Sequence, residues 1–198
     1  MKELVIRVAT VQDAAVLREI YRPYVEGSAV TFEYDVPSEE EFQARIAAVL
    51  ERYPYLVAEQ DGKILGYAYA AAFNERKAYD WTAEASIYVD RTCRHQGIGG
   101  RLYRALENIL QEQGILNLTA CITFADTEDE HWTRNSPDFH AHLGYRQVAR
   151  IHQCGFKFHH WYDIIWMEKF LGDHRPDQPA PRSFEQVRDQ VAAKYGIR

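Results

Sequence analysis

The segment Arg94-His95-Gln96-Gly97-Ile98-Gly99-Gly100 lies between a strand-like run, Ala85 to Asp90, and a helix-like run, Arg101 to Gln113. A helix start leaves amide N–H groups unpaired, and the helix dipole adds positive potential there. Glycines let the main chain approach an anion closely and adopt φ > 0. Strand, glycine turn and helix together make a layout for a diphosphate. A P-loop would need Gly-Lys-Ser/Thr at its end, but Gly100 is followed by Arg101 and Leu102. A dinucleotide loop would need a third glycine where Leu102 stands. Upstream in the same strand, alternation puts Glu84, Ser86 and Tyr88 on one face and Ala83, Ala85 and Ile87 on the other. A carboxylate among aromatics such as Tyr79 and Trp81 can have a raised pKa, which suits a base working near neutrality. An exposed strand carboxylate is the ordinary alternative.

The elements that must position these residues follow from periodicity. Leu4 to Ala9 reads as a strand, and Thr10 with Asp13 starts a helix carrying Ala14, Leu17, Ile20, Tyr21 and Tyr24 on one face. Ser38 and Glu41 form a capping box for a second helix, whose buried stripe is Phe42, Ile46, Val49 and Leu50. Tyr55 to Glu59 and Lys63 to Phe73 are strands around an Asp61-Gly62 hairpin turn. Trp81 to Asp90 leads into the glycine loop, and the helix after it ends at Gly114. Leu116 to Phe124 is a strand, and Ser136 to Leu143 is a short helix. Arg146 to Gln153 and Trp161 to Phe170 make a final antiparallel pair, with Gly155 to His160 as their turn. Beyond Gly172 the chain carries Pro176, Pro179 and Pro181. A capping box at Ser183 and Gln186 then predicts a small helix in an arm over 171–198.

At 198 residues, one domain with a full core is expected. The formal net charge of −6 argues against nucleic acid as a partner. No apolar run approaches the roughly 20 residues that cross a bilayer, and the N-terminus has no signal-peptide form, so no membrane partner and a cytoplasmic setting are expected. Cys93, Cys121 and Cys154 are widely spaced with no C-x-x-C, which predicts neither a zinc site nor a disulfide framework. No metal is expected. The thirteen tyrosines and four tryptophans fit core and interface packing better than ligand contact.

Arg94, Gly97 and Gly99 fit the pattern R/Q-x-x-G-x-G/A, which resembles the acetyl-CoA signature of the GNAT superfamily of N-acetyltransferases. The order β-α-α-β-β-β-α-β-α-β-β over residues 3–170 is also that of a GNAT domain. Three phrases look like phosphinothricin N-acetyltransferases and their relatives acting on methionine sulfoximine and methionine sulfone. They are Arg52 to Glu59, Ala78-Tyr79-Asp80-Trp81-Thr82-Ala83-Glu84, and Gly155-Phe156-Lys157 with Trp161-Tyr162-Asp163. The resemblance implies an α/β fold of mixed α+β character: a central, mostly antiparallel mixed sheet flanked by helices. It implies acetyl-CoA as co-substrate, a small-molecule amine as acceptor and a homodimer.

The same resemblance implies site residues. Glu84 matches the family's catalytic glutamate and is the candidate general base. Ile87, Tyr88 and Val89 would offer main-chain groups to the pantetheine and the thioester carbonyl. Arg94, His95, Gln96, Gly97, Ile98, Gly99 and Gly100 would hold the diphosphate. His140, four residues before Gly144, stands where many members carry a tyrosine acid; a helix-surface histidine is the equal alternative. Thr133 occupies a position that often carries a cofactor-contacting asparagine, and Asn135 is its possible substitute. Arg76 would grip a substrate carboxylate, with Lys157 supporting it and Phe32, Tyr34 and Tyr79 as pocket walls. Two other functions compete. The same chemistry on a polyamine, aminoglycoside or protein N-terminus would want an acidic pocket, for which Asp126, Glu128, Asp129 and Glu130 are candidates. A non-catalytic acyl-CoA sensor would be consistent with Thr133.

Overall fold

The computed structural model describes residues 3–93 and 96–197, so the expectations for Arg94 and His95 lie outside the described residues. The elements run β1 (Val5–Val8), α1 (Ala14–Gly27), α2 (Glu39–Leu50), β2 (Tyr55–Gln60), β3 (Lys63–Ala72), β4 (Thr82–Val89), α3 (Ile98–Gln113), β5 (Asn117–Phe124), α4 (Asn135–His142), β6 (Arg146–Lys157), β7 (His160–Phe170) and α5 (Phe184–Tyr195). The strands form one seven-stranded sheet in the order β1-β2-β3-β4-β5-β7-β6. Every neighbouring pair is antiparallel except β4 with β5. That parallel step follows from the crossover through α3.

Local chemistry explains most boundaries. Asp61 and Gly62 both take positive φ, 52° and 77°, as a two-residue hairpin turn demands. At the start of the first helical segment Thr10 and Asp13 close their capping box. At α2 only half of the expected box forms: Ser38 accepts from the Glu41 N–H, while the Glu41 carboxylate turns to Arg45 at 2.6 Å. Gly114 ends α3 in the left-handed region, and the Ile115 N–H returns to the Leu110 carbonyl at 2.9 Å.

Two apolar clusters sandwich the sheet. On one face α3 lays Ile98, Leu102, Leu106 and Ile109 against Ala83, Ala85, Leu118 and Ala120. On the other, α1 and α2 cover Tyr55, Val57, Ile64 and Tyr67 with Leu17, Tyr21, Tyr24 and Phe42. The tail runs along the end of α3, where Gln113 donates to the Arg52 and Arg182 carbonyls. The Ser183–Gln186 box forms, and Phe184, Val187 and Val191 of α5 enter the first cluster.

The final hairpin differs from the sequence expectation. Its strands reach Lys157 and His160, so the turn is Phe158-His159 alone, with φ of 51° and 59°. Histidine visits that region more readily than most residues, whereas phenylalanine does not. Phe158 holds it by stacking on His131, centroids 3.7 Å apart. The glycine expected in the turn, Gly155, instead lies flat under Phe32, whose ring fills the place a Cβ would take.

Candidate active site

The parallel ladder between β4 and β5 is short. It joins Thr82 to Asn117, Ala83 to Leu118 and Glu84 to Thr119, and stops there, although β4 continues to Val89 and β5 to Phe124. Beyond Glu84 the strands splay into a cleft lined by Ile87, Tyr103, Cys121, Trp132, Ser136 and His140, among others. Alternation decides which main-chain groups face it. The Asp90 N–H points to Leu65 on β3, so the groups of Ala83, Ala85, Ile87 and Val89 turn toward β5. The Ala83 carbonyl accepts from Thr119 Oγ1 at 3.1 Å. Ile87, past the last ladder pair, faces the gap. Val89 meets the Tyr24 hydroxyl instead, which donates to its carbonyl at 2.6 Å and accepts from its N–H at 3.4 Å. Tyr88 contributes its ring, packed edge-on to Tyr21 and Tyr24, with its main chain turned to β3.

The glycine loop ends this cleft, and its three glycines have three reasons. Gly97 caps α3 in the left-handed region, with φ of 77°. At Gly99 a Cβ would stand 3.1 Å from the Phe139 ring, so this glycine lets α3 close on α4. At Gly100 a Cβ would meet nothing within 4 Å, so the surface over the helix start is open. The helical ladder begins with the Arg101 N–H donating to Gly97, which leaves the amides of Ile98, Gly99 and Gly100 without helical partners. Open main-chain donors with positive potential fit a diphosphate. Gln96 beside them is exposed.

Glu84 is half-buried on β4 at the point where the ladder ends. Burial alone raises its carboxyl above the ordinary carboxylate range. The aromatics expected around it were Tyr79 and Trp81. Tyr79 instead packs on Phe73, and Trp81 Nε1 donates to the Pro179 carbonyl. The groups that feel the charge of Glu84 are Tyr69, Tyr103 and Cys121.

His140 is not a surface histidine. It is buried, with Nδ1 2.8 Å from the Ser136 carbonyl and Nε2 2.7 Å from the Tyr103 hydroxyl. A carbonyl only accepts, so Nδ1 carries the proton and Nε2 accepts from Tyr103. Desolvation lowers the imidazole pKa to about 4. His140 is therefore neutral near pH 7, with no free N–H for a leaving group, and the hydroxyl at its end of the cleft belongs to Tyr103.

Lys157 also departs from expectation. Its ammonium is buried and donates to the carbonyls of Val25, Ser28 and Thr31 at 2.8, 3.0 and 2.8 Å. All three donors hold the end of α1 and the loop after it, so none remains for a substrate. That loop carries Phe32, which packs on Gly155 and Tyr162, and Tyr34, whose hydroxyl donates to the Phe156 carbonyl. Arg76 is exposed at the end of the β3–β4 connection. Asn135, the first residue of α4, is exposed, as is Thr133.

The acidic stretch after β5 orders its own loop. Asp126 pairs with Arg150 at 2.8 Å, and Glu128 accepts from the Arg134 N–H. Asp129 accepts from the His131 and Trp132 amides and from the Tyr162 hydroxyl. Among the described residues no cluster of histidine, cysteine or carboxylate groups could hold a metal ion, and no helix is long and apolar enough to cross a membrane. Sequence reasoning missed Tyr103, Cys121 and Tyr69. Each stands in an apolar pattern that reads as core, and only the splay of β4 from β5 turns Tyr103 and Cys121 into cleft walls.

A parallel pair that opens beside a half-buried carboxylate, next to a glycine-started helix, matches a known architecture. Residues 6–166 match the model of the acetyltransferase (GNAT) domain, and the chain belongs to that family of N-acetyltransferases. It is similar to the phosphinothricin N-acetyltransferase of Streptomyces viridochromogenes, 32% identical over 179 residues that cover 89% of this chain and 90% of the relative. The L-methionine sulfoximine/L-methionine sulfone acetyltransferase of Salmonella typhimurium is 28% identical, with 86% and 96% covered. Among solved structures, a GNAT superfamily phosphinothricin acetyltransferase from Sinorhizobium meliloti, in complex with AcCoA, superposes with a TM-score of 0.81. It is 31% identical, covering 90% of this chain and 94% of that one.

Proposed function

We propose that this enzyme transfers the acetyl group of acetyl-CoA directly to the α-amino group of a small amino acid or analogue of the phosphinothricin and methionine sulfoximine type. One observation carries the reading: the β4–β5 ladder ends at Glu84, so a carboxylate with a raised pKa borders the gap where strand pairing gives way to open main chain. Acetyl-CoA supplies the activated acyl group. The amides of Ile98 to Gly100 hold its diphosphate, and the Ile87 amide polarises the thioester carbonyl. Glu84 takes the proton of the acceptor ammonium, which frees the nitrogen lone pair for attack on the carbonyl carbon. The C–S bond then breaks, the proton on Glu84 passes to the departing sulfur, and the freed carboxylate takes the remaining surplus proton from the new amide nitrogen and releases it to solvent. The neutral, hydrogen-bonded state of His140 supports a positioning role, in which it orients Tyr103 toward the cleft. Holding both reactants in line supplies much of the acceleration.

Arg76 is the guanidinium available for the acceptor carboxylate, with Tyr79 beside it on the same connection. The acidic loop gives little support to a cationic acceptor, since Asp126, Glu128 and Asp129 are each hydrogen-bonded within the fold. A homodimer belongs to the same proposal. The edge strand β6 and its hairpin leave Val148, Ile151, Phe156 and Trp161 about half exposed, an apolar edge that a second copy would cover. The test is an acceptor screen with acetyl-CoA, read by release of free thiol. Turnover of phosphinothricin, methionine sulfoximine or common amino acids, with polyamines and aminoglycosides inert, is the expected result. Turnover of the cationic amines alone would refute it, and tight acetyl-CoA binding with no transfer would favour a sensor.

A further inference from the structure

We propose that a cavity between α2 and the sheet receives an uncharged aromatic side chain of the acceptor, so that this enzyme selects aromatic α-amino acids. The inference rests on the N-acetyltransferase reading above and narrows its acceptor.

The cavity measures about 270 Å³. Tyr21, Phe42, Tyr55, Tyr67, Tyr69 and Tyr88 wall it, and Arg45, Ala48 and Val49 of α2 form its rim. Close-packed interiors keep few voids larger than a water molecule. The six rings pack on one another, so the opening they border with α2 stands out as room for a side chain.

Its position links it to the chemistry. Glu84, Ser86 and Tyr88 share one face of β4, and Tyr88 lines both the cavity and the cofactor cleft. Tyr69 stands opposite Ser86 on β3, on the path between the two. Its phenol feels Ser86 and the charges of Arg45, Glu84 and Glu33, which places it between the Glu84 carboxylate and the rim. Two residues of strand span about 7 Å. An amine at Glu84 thus leaves its side chain roughly one ring-length from the Tyr69 wall.

Charge and shape define what enters. Among the described lining residues Arg45 is the one charged group, and its guanidinium is held by Glu33 at 2.8 Å and Glu41 at 2.6 Å. Both contacts use Nη2, so a buried phosphinate or carboxylate would compete with Glu33 and Glu41 for Arg45, and an ammonium would meet no carboxylate in the lining; an unpaired charge is strongly disfavoured inside. The rings of Tyr55, Tyr67 and Tyr69 are nearly parallel, with interplanar angles of 22°, 18° and 11°. They stack on one another, with centroids 4.8 to 6.5 Å apart. Beside them Tyr88 meets Tyr21 edge-on in the cavity wall, with centroids 4.7 Å apart and planes at 83°. A neutral ring can extend that stack and meet Tyr21 and Tyr88 edge-on. Burial raises the phenol pKa values of Tyr55, Tyr67 and Tyr88 well above normal, consistent with a dry interior.

The experiment compares L-phenylalanine, L-alanine and phosphinothricin as acceptors for the wild type and for Ala48→Trp. Ala48 is exposed at the rim, so the indole fills the mouth without disturbing the core. Ala48→Phe replaces it if circular dichroism finds α2 altered. Wild-type kcat/KM for L-phenylalanine should exceed that for the other two at least tenfold. The variant should lose that advantage through KM, while the KM values for acetyl-CoA and L-alanine stay within twofold. Equal use of L-phenylalanine and L-alanine, or an unchanged KM for L-phenylalanine in the variant, overturns the proposal. If no amino acid is acetylated, the acceptor reading itself has failed. Titration calorimetry of L-phenylalanine into the acetyl-CoA-loaded protein then decides for the cavity. Binding weakened tenfold by Ala48→Trp supports it, and no binding to the wild type overturns it.

Discussion

The two faces of the sheet are built on different principles. On the α3 face the proposed cofactor path is main chain and small residues: the amides after Gly97, the open surface at Gly100 and the gap beside Ile87. On the α1–α2 face the groups are side chains: Glu84, Tyr69, the stacked tyrosines and a loop tied down by Lys157. A site made of backbone needs room and correct φ, and it tolerates changes in neighbouring side chains. A site made of side chains depends on register, since a one-residue slip in β4 would move Glu84 to the other face. The common ligand is therefore assigned to the first face, and selectivity between acceptors to the second.

The comparison can be broken at four points. Glu84→Gln removes the proposed base, and kcat should fall about 10²–10³-fold while the acetyl-CoA dissociation constant is unchanged. Wild-type kcat/KM should rise with pH through a limb above the ordinary carboxylate range, because burial raises the pKa of Glu84. The same limb should vanish in the variant. Gly100→Leu tests the opposite face. Its added side chain meets no protein atom near the Cβ, so folding should be untouched. It should nevertheless raise the KM for acetyl-CoA about thirtyfold, corresponding to roughly 2 kcal/mol of lost charge-assisted hydrogen bonding. Lys157→Met leaves three buried carbonyls without their donor and should cost about 2–3 kcal/mol by urea denaturation. If it changed only the acceptor KM, the lysine would have to face the substrate after all.

The fourth and most subtle test concerns His140. Its folded pKa is lowered to about 4 from 6.5, so between those values the unfolded chain binds a proton that the folded chain does not. Stability from this group is therefore full above pH 6.5 and is lost as pH falls toward 4, by about 1.4 kcal/mol per pH unit. Comparing wild type with His140→Gln at pH 4.5 and 7 isolates that slope. A histidine acting as a charged acid would give the opposite trend.

Much of this is legible in the residues alone. Helical spacing places α1 to α3, two-residue alternation places Glu84 with Ser86 and Tyr88, and Asp61-Gly62 places the first hairpin, because each signal is local. The misses share a physical cause, which is contact between residues distant in sequence. Phe158 and His159 carry no turn signature, and their left-handed backbone is held by stacking on His131. Gly155 reads as turn punctuation, yet it is small because Phe32 lies on it from the α1–α2 loop. Lys157 reads as available to a substrate, and only the fold brings the carbonyls of Val25, Ser28 and Thr31 around it. Tyr103 reads as one more apolar position of α3 until His140 arrives from α4.

The proposed chemistry depends on where the β4–β5 ladder stops. A crystal structure with coenzyme A and an N-acetylated amino acid would test it most directly. The diphosphate is expected on the amides of Ile98 to Gly100, the sulfur in the gap beside Ile87, and the product nitrogen within hydrogen-bond reach of the Glu84 carboxylate. Coenzyme A bound away from the gap, or a product nitrogen remote from Glu84, would contradict it.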